Sequence, residues 1–272
     1  MTRTTPVALT IAGSDSGGGA GIQADLKAFA RCGVHGMTAI TAITAQNTVG
    51  VSDVEAIAPE MIVAQVRAVA EDIGVDAVKI GMLGDTQTIA AAVEALDLLP
   101  ASTPVVVDPV MVAESGARLL DASAVQALRQ DILPRATVVT PNLPEAAVLA
   151  GAAEATDPEA LARAVHALGP GAVVVTGGHR LETTDVFYDG TTLVPIAGAR
   201  HEDGAAHGSG CTHSSILAAQ LALGATALQA AQIARERAAE AVRNGLRDVG
   251  AGPGPVDALN IRNRWGEAVP LP

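Results

Sequence analysis

Aromatic residues are almost absent from this sequence of 272 residues: they make up 1% of it, whereas apolar residues make up 49%. The core must therefore be built from Ala, Val, Leu and Ile, and a flat ring bound by the protein will meet few stacking partners. Positive charge is also scarce, since 17 Lys and Arg residues stand against 29 Asp and Glu residues. The net charge of -12 repels polyanions, which argues against binding to nucleic acid or to an anionic membrane surface.

Cysteine is equally rare, since Cys32 and Cys211 are the only two residues of this type. Two cysteines do not make a disulfide framework in a chain of this length, which favours a reducing compartment. The N-terminus carries too short an apolar run for a secretory signal, and polar residues interrupt the longest apolar region, 216–234. That region predicts two packed helices and no membrane span, so we expect a cytoplasmic protein.

Short strands alternate with helices along the chain. The strands are predicted at 7–11, 36–44, 76–80, 104–107, 137–140 and 172–176. Helices are predicted near 22–30, 58–73, 86–98, 122–133, 143–150 and 158–168. This alternation, with strands that lack alternating polarity, indicates an α/β fold whose central, mostly parallel sheet has helices on both faces.

A small β-hairpin is predicted between 185 and 197, with its turn at Asp189-Gly190. We expect a single domain over residues 1–272, with a loose C-terminal tail from about residue 250.

Polar and glycine-rich clusters follow each predicted strand. In chain order they read G-S-D-S-G-G-G-A-G, T-A-Q-N-T, K-I-G-M-L, D-P-V-M, T-P-N-L-P-E and T-G-G-H. The carboxyl ends of parallel strands meet at one edge of a sheet, where open α/β sheets bind their ligands. The sequence therefore predicts one site assembled from these loops.

A glycine-punctuated loop later in the chain, A-H-G-S-G-C-T-H-S-S-I at residues 206–216, leads directly into an apolar helix. Gly208 and Gly210 flank Ser209 and allow backbone N–H groups to turn inward, while the helix adds the positive end of its dipole. Such a loop is suited to phosphate. Cys211 lies in the same field, which favours the thiolate and makes it a candidate base. The alternative is a helix capped by Ser209 or Thr212 with a packed cysteine.

Acidic and amide side chains are predicted to meet at this edge of the sheet. Asp108 follows a buried strand and precedes a proline, a position suited to a cation or to a structural cap. Asn142 and Glu145 lie three residues apart at a predicted helix start, where they either hold water and Mg²⁺ near phosphates or only cap the helix. Gln46 offers a donor and an acceptor to a heterocycle, or forms a turn. Asp25, one turn into the first helix, either contacts a substrate or faces solvent.

Several familiar motifs are not met. G-A-G-I-Q-A at residues 19–24 fits the dinucleotide pattern, but polar residues separate it from the strand and no acid closes the second strand. Neither of the two lysines follows a glycine, which excludes a Walker loop. His207 and His213 flank Cys211, but a zinc site lacks further ligands and a Cys/His nucleophile lacks an orienting partner.

Six blocks of the chain resemble, in order and spacing, the hydroxymethylpyrimidine and phosphomethylpyrimidine kinases of thiamine biosynthesis. They read G-S-D-S-G-G-G-A-G-I-Q-A-D-L-K, A-I-T-A-Q-N-T, V-K-I-G-M-L, V-V-D-P-V-M-V-A, V-V-T-P-N-L-P-E-A and H-G-S-G-C-T. The likeness spans about residues 7–248 and implies a ribokinase-like fold. It also implies ATP and Mg²⁺ as cofactors and two phosphoryl transfers. The first would go to the hydroxymethyl group of 4-amino-5-hydroxymethyl-2-methylpyrimidine, and the second to the resulting monophosphate. We also expect a homodimer.

The resemblance implies a role for each matching residue. Gln46 would hydrogen-bond the aminopyrimidine, and Gly13, Asp25, Met82 and Val110 would surround it.

Cys211 would stand where most ribokinase-like relatives carry an aspartate base, and Gly208, Ser209 and Gly210 would complete the anion hole for the transferring phosphoryl group. Asp108, Asn142 and Glu145 would organise Mg²⁺ and ATP, with Asp108 and Glu145 as metal ligands.

One position departs from the family pattern. Thr176 stands where many members carry a lysine that contacts the nucleotide phosphates, a role that Arg180 or the metal would have to take. Three alternatives stay open: a pyridoxine or pyridoxal kinase, a non-catalytic protein that binds pyrimidines or phosphate esters, and a cysteine hydrolase. The T-A-Q-N-T block favours the pyrimidine kinase, because the resembling vitamin B6 kinases lack its glutamine.

Overall fold

The computed structural model describes residues 3–112, 120–153, 157–177, 184–199, 201 and 205–264. The strands are β1 (Val7–Asp15), β2 (His35–Gln46), β3 (Val51–Ala56), β4 (Ala77–Ile80), β5 (Val105–Val107), β6 (Val138–Val139), β7 (Val173–Val175), β8 (Asp185–Tyr188) and β9 (Leu193–Ile196). The helices are α1 (Gly21–Arg31), α2 (Pro59–Asp72), α3 (Thr86–Leu96), α4 (Ala122–Ala127), α5 (Leu143–Ala150), α6 (Pro158–His166), α7 (Ser209–Ala222), α8 (Ala227–Arg243) and α9 (Ile261–Arg264).

Within the described residues the strands form one sheet, in the order β3-β2-β1-β4-β5-β6-β7-β8-β9. The run from β2 to β7 in this order is parallel throughout. β3 is antiparallel at one edge of the sheet, and the hairpin of β8 and β9 is antiparallel at the other. The predicted fold class, a mostly parallel α/β sheet with an added hairpin, is confirmed.

Helices cover both faces of the sheet, which explains why the valine triplets of β5 and β7 are buried throughout. On one face Leu9 of β1 lies in a core cluster with Ile62 of α2 and Ile89 of α3. On the other face Val106 of β5 lies in a cluster with Leu217 of α7. The core therefore consists of two aliphatic layers that hold the carboxyl ends of the strands in place.

The region 216–234, expected to form packed helices, is divided between α7 and α8. Among the described residues, no helix combines the length and the apolar character needed to cross a membrane.

Two elements differ from the prediction. The edge strand β3 was not predicted, because its sequence V-S-D-V-E-A is largely exposed and carries no apolar pattern. The helix predicted over 122–133 is α-helical only to Ala127, and a π-helical turn (Leu128–Ile132) and a 3-10 turn (Leu133–Arg135) follow it. Pro134 within the last turn has no backbone N–H, which prevents the α-helix from continuing.

The segment after α8 also differs from the loose tail predicted from about residue 250. Val256, Asp257 and Ala258 are buried. The amide of Val256 donates to the carbonyl of His207 at 3.1 Å. Glycine and proline here allow close packing against the domain, where the sequence suggested only flexibility.

Candidate active site

The loops at the carboxyl ends of the strands surround one cleft with a volume of about 440 Å³. It collects every predicted site residue except Asp25: Gly13, Gln46, Met82, Asp108, Val110, Asn142, Glu145, Thr176, Gly208, Ser209, Gly210 and Cys211. Because β2 and β1 lie on one side of β4 while β5, β6 and β7 lie on the other, Gln46 and the pair Asn142 and Glu145 belong to opposite sides of the cleft.

The anion loop, residues 207–211, enters the cleft at the start of α7. Gly208 is the N-cap residue and is left-handed, with φ of 81°. A Cβ atom at this position would overlap the carbonyl oxygen of Gly19, so only glycine fits. Since the N-cap is Gly208, neither Ser209 nor Thr212 caps the helix. The first turn of α7 therefore presents its N-terminus to the cleft, as an anion site requires.

Cys211 is half-buried at the cleft and does not have the lowered pKa that the sequence suggested. Desolvation by the surrounding protein raises the pKa of Cys211 to about 12, with Asp108 and Asp25 adding to the effect, although the Lys79 ammonium opposes it. The prediction of a thiolate was therefore wrong, because a group with this pKa is a thiol at neutral pH. The sequence pattern showed the helix dipole but not the carboxylates that other elements bring near the sulfur.

Asp25 neither lines the cleft nor faces solvent. The two predictions for this residue, a substrate contact or a solvent-facing side chain, were therefore both wrong. It is fully buried and accepts hydrogen bonds from Thr10 and Ser215, each at 2.6 Å. Lys79 Nζ lies 3.0 Å and 3.1 Å from its two carboxylate oxygens. The carboxylate is therefore held inside the protein as half of an ion pair.

Lys79 forms part of the floor of the cleft and is itself fully buried. Its Nζ lies 4.0 Å from Asp108 Oδ2. Burial lowers the pKa of Lys79, but the charges of Asp25 and Asp108 outweigh it and raise the pKa above its usual value. A fixed positive charge thus lies beneath the site, and sequence reasoning missed it because its partner is distant in the chain.

Asn142 and Glu145 form the reciprocal capping arrangement that was the structural alternative. The Asn142 side chain accepts the amide of Glu145 at 2.9 Å, and Glu145 Oε2 accepts the amide of Asn142 at 3.0 Å. Glu145 nevertheless reaches the cleft. Burial, together with the charge of Asp108, raises the pKa of Glu145 to about 8. Capping and a site role therefore coexist in the same side chains.

The carboxylates of Asp108 and Glu145 fit a magnesium ion by their chemistry. Both are oxygen ligands of the kind that Mg²⁺ prefers, and both line the cleft. Burial raises the pKa of Asp108 as well, although Lys79 opposes that shift. A bound cation would relieve this crowding of negative charge. The described residues contain no group of three side chains from His, Cys, Asp and Glu that could hold a metal ion by themselves, so other ligands would come from water and phosphate.

A cluster that the sequence did not reveal lies on the β7 side of the cleft. Asp185, the first residue of β8, accepts the amide of Gly177 at 2.9 Å. Arg235 Nε on α8 lies 3.8 Å from Asp185 Oδ1, and His213 Nε2 lies 3.6 Å from Asp185 Oδ2. Desolvation lowers the pKa of His213, which favours its neutral form. These three side chains join Thr176 around the same end of the cleft. Arg180, proposed to compensate for Thr176, lies outside the described residues.

The Gln46 side of the cleft is tied together by hydrogen bonds. The Gln46 amide donates to Ser16 Oγ at 2.8 Å, and Ser16 Oγ donates to the Gln46 carbonyl at 2.6 Å. Asp15 accepts amides of the loop before α1 and lies 3.1 Å from His207 Nε2. Desolvation acts to raise the pKa of Asp15, but the hydrogen bonds from His207 and the backbone prevail and lower it.

The model of the phosphomethylpyrimidine kinase family matches residues 15–257. The chain belongs to this family. A member of it, the hydroxymethylpyrimidine/phosphomethylpyrimidine kinase of Rhizobium meliloti, is 50% identical over 267 residues, which cover 96% of this chain and 98% of the relative. The predicted kinase activity is confirmed at the level of the family.

Solved structures of vitamin kinases share the fold. The pyridoxal kinase from Staphylococcus aureus in complex with ADP has a TM-score of 0.86 and 35% identity, with 94% of each chain covered. The phosphomethylpyrimidine kinase from Clostridium difficile 630 has a TM-score of 0.74 and 40% identity, with 85% of this chain and 96% of that chain covered. This chain thus has structural neighbours named for two different substrates, pyridoxal and phosphomethylpyrimidine.

Proposed function

We propose that this phosphomethylpyrimidine kinase family member transfers a phosphoryl group from ATP to the hydroxymethyl group of 4-amino-5-hydroxymethyl-2-methylpyrimidine, and a second one to the monophosphate. One observation carries the proposal: the anion loop opens into a cleft that has Gln46 on one side and Asn142 with Glu145 on the other. This arrangement supports an acceptor region and a donor region on either side of a helix N-terminus suited to phosphate. We propose that one domain carries both transfers.

On the acceptor side, Gln46 supplies recognition. Its carboxamide offers an acceptor oxygen and an NH₂ donor, which matches the amino group and ring nitrogen of an aminopyrimidine edge. Gly13 leaves the space that Met82 occupies, because a Cβ atom on Gly13 would lie 2.5 Å from Met82 Cε. Met82 and Val110 provide apolar surface in a pocket whose described lining includes no Phe, Tyr or Trp.

At the centre, the substrate hydroxyl oxygen attacks the terminal phosphorus, the bond from that phosphorus to the ADP oxygen breaks, and the hydroxyl proton leaves. The N-terminus of α7 stabilises negative charge on the transferring group. Cys211 receives the proton only as a thiolate, and of the groups around it Lys79 favours that form while Asp108 and Asp25 oppose it. Neutralisation of Asp108 therefore favours the thiolate, the form of Cys211 that can accept the hydroxyl proton. Magnesium held by Asp108 and Glu145 would supply charge compensation for the nucleotide phosphates.

On the donor side, we propose that Arg235 takes the place of the missing lysine at Thr176. Its guanidinium reaches the cleft, and Asp185 links it to Gly177 next to Thr176. A guanidinium is always charged and binds phosphate through paired N–H groups. Asn142, Glu145 and Thr176 would complete the nucleotide side.

We further infer a cytoplasmic homodimer. The exposed apolar residues Ile43, Val49 and Val54 on and beside β2 and β3 support an interface at that edge of the sheet. Analytical ultracentrifugation of the wild type and of Val54→Asp tests this, and a monomeric wild type would refute it.

The decisive experiment is mass analysis of the products after incubation with Mg-ATP and hydroxymethylpyrimidine. We expect the monophosphate first and then the diphosphate, with stoichiometric ADP. Absence of any phosphorylated pyrimidine would overturn the proposal, and ATP-independent hydrolysis would indicate the cysteine hydrolase.

A second candidate, pyridoxal kinase, is favoured by the close structural likeness to the S. aureus enzyme. Steady-state rates on hydroxymethylpyrimidine and pyridoxal in parallel separate the two. A large preference for pyridoxal would assign the chain to the second activity.

A further inference from the structure

The segment after α8 touches two loops of the cleft that belong to distant parts of the chain. We call residues 246–256 the C-terminal strap. Its amide at Gly252 donates to Thr48 Oγ1 at 3.2 Å, two residues beyond Gln46. Its amide at Val256 donates to the carbonyl of His207, the first residue of the anion loop, at 3.1 Å. The strap therefore connects the loop that follows Gln46 with the loop that binds the anion.

The contact with Thr48 is close and depends on glycine. A Cβ atom on Gly250 would lie 2.1 Å from Thr48 Oγ1, and one on Gly252 would lie 1.9 Å from the Thr48 carbonyl oxygen. Both distances are far below van der Waals contact, so neither position accepts a side chain without separation of the two segments. Gly250 is also left-handed, with φ of 83°. Glycine thus makes room for the Thr48 side chain at position 250 and for the Thr48 backbone at position 252, which is the reason that the Gly/Pro-rich sequence is ordered.

The far end of the strap is anchored equally firmly. Leu246 donates its amide to the carbonyl of Pro255 at 2.9 Å, which closes the strap on itself at the end of α8. Pro255 and Val256 are buried. The strap is therefore a fixed spacer between its two contacts.

Together with the contacts inside the cleft, the strap completes a closed ring made of hydrogen bonds and short stretches of chain. From Gln46 the ring passes to Ser16 and the adjacent Asp15, then to His207. It continues through Val256 to Gly252, and returns through Thr48 to the loop of Gln46. A ring of this kind fixes the separation of its members better than any single hydrogen bond, because no member moves without breaking another.

We propose that Thr48 and Gly250 are positioning residues, which act through the strap to hold Gln46 at a set distance from the anion loop. The strap thereby sets where the substrate hydroxyl meets the phosphoryl group. This inference rests on the proposed function, since it takes Gln46 as the pyrimidine contact. Displacement of reacting groups by about 1 Å lowers rates by up to roughly 10²-fold. The ATP side, built on β6, β7 and α8, lies outside the ring.

The first test compares Gly250→Ala with Gly224→Ala. Both glycines are left-handed, with φ of 83° and 88°, but Gly224 has no atom near the place where its Cβ would stand. The control thus carries the same backbone strain without the collision. We expect Gly250→Ala to raise KM for hydroxymethylpyrimidine and to lower kcat, each about tenfold or more, with KM for ATP within about twofold of wild type. Gly224→Ala should match wild type in all three. Equal effects of the two variants, or a larger effect on KM for ATP, would overturn the proposal.

The second test keeps the fold intact in case Gly250→Ala does not fold. Thr48→Val preserves shape and removes the acceptor of the Gly252 amide, whereas Thr48→Ser retains it. Loss of one hydrogen bond predicts about a threefold to tenfold rise in KM for hydroxymethylpyrimidine in the valine variant, with recovery in the serine variant.

Hydrogen exchange distinguishes positioning from mere stability. In the wild type, hydroxymethylpyrimidine should slow exchange of the Gly252 and Val256 amides, and Thr48→Val should abolish this transmitted protection while substrate still binds at high concentration. Unchanged exchange in the strap of a wild-type protein that phosphorylates the pyrimidine would refute the inference alone. A wild type that neither binds nor phosphorylates the pyrimidine would refute the proposed function beneath it.

Discussion

The two sides of the cleft differ in how their polar groups are satisfied. On the acceptor side, Asp15 and Gln46 have hydrogen-bond partners within the protein, and Asp25, buried outside the cleft, has an ion-pair partner. On the donor side, burial and neighbouring charge raise the pKa of Glu145 and Asp108. His213 has no hydrogen-bond partner within the described residues, for either ring nitrogen. The acceptor side is thus organised before any ligand binds, whereas the donor side is arranged so that a cation and a polyanion complete it.

Cys211 lies between the two sides, and its removal should give the largest effect. We expect Cys211→Ala to lower kcat by roughly 10²- to 10⁴-fold, the usual range for a general base, with pyrimidine binding nearly intact. Steady-state kinetics and calorimetric titration of the pyrimidine measure the two effects. Cys32→Ala is the matched control, because Cys32 lies outside the cleft. Wild-type turnover in the Cys211→Ala variant would show that Cys211 is not the general base.

Removal of the cation that pairs with buried Asp25 should lower the free energy of unfolding. Lys79→Met leaves Asp25 buried without its cation, and loss of one partner from a buried pair destabilises proteins by about 3–5 kcal/mol. The double variant Asp25→Asn/Lys79→Met should recover much of that loss. Urea unfolding of the two variants and the wild type measures the free energies. A Lys79→Met variant as stable as wild type would show that the fold does not depend on the ion pair of Asp25 and Lys79.

The donor side should lose nucleotide affinity when Arg235 is neutralised. We expect Arg235→Gln to raise KM for ATP about tenfold, the loss of a charge-assisted contact to phosphate, while KM for hydroxymethylpyrimidine stays the same. Arg163→Gln serves as the control, since Arg163 lies over the ring of Tyr188 at 4.7 Å and does not line the cleft. An equal rise in both KM values would show that the two sides are not independent.

The smallest effect concerns Glu145 and pH. Its folded pKa of about 8 is raised above the value of 4.5 for a free glutamate, so the fold favours the protonated form. Stability therefore decreases as pH rises from about 4.5 through 8, and a cation that replaces the proton should stabilise more at high pH than at low pH. We expect the gain in Tm from Mg²⁺ to be a few degrees larger at about pH 8.5 than at about pH 5.5.

Thermal unfolding with and without Mg²⁺ measures this difference. Glu145→Gln should remove most of it, because the amide does not titrate. A gain in Tm that is the same at both pH values in the wild type would contradict the charge crowding on the donor side.

Local patterns were enough to predict the parallel sheet, the anion loop and the positions of Gln46, Asp108 and Glu145 in one cleft. Each of these depends on a few consecutive residues at a strand end or helix start. The partnerships that determine the chemistry were not predictable in this way. Asp25 and Lys79 are 54 residues apart. Burial of the thiol, together with carboxylates on α1 and at the end of β5, raises the pKa of Cys211, so its position at the helix dipole alone gave the wrong direction of the shift.

The order of the strap was likewise not predictable from local sequence patterns. Composition between residues 250 and 255 indicated flexibility, and the edge strand β3 gave no signal because its residues face solvent. The strap depends on Thr48, which is distant in the sequence, whereas β3 depends on the strand directly before it in the chain. Close approach to Thr48 requires glycine in the strap, and pairing with β2 orders β3.

The burial of Lys79 makes acylation of its side chain a measure of how often the sheet opens. Of the two lysines in the chain, Lys27 is half-buried and Lys79 is fully enclosed beside β1, the strand paired with both β2 and β4. An amine-acylating reagent should therefore modify the ε-amine of Lys79 only in molecules whose sheet has come apart. Peptide mapping after timed exposure to such a reagent would separate modified Lys79 from modified Lys27 and so count those molecules.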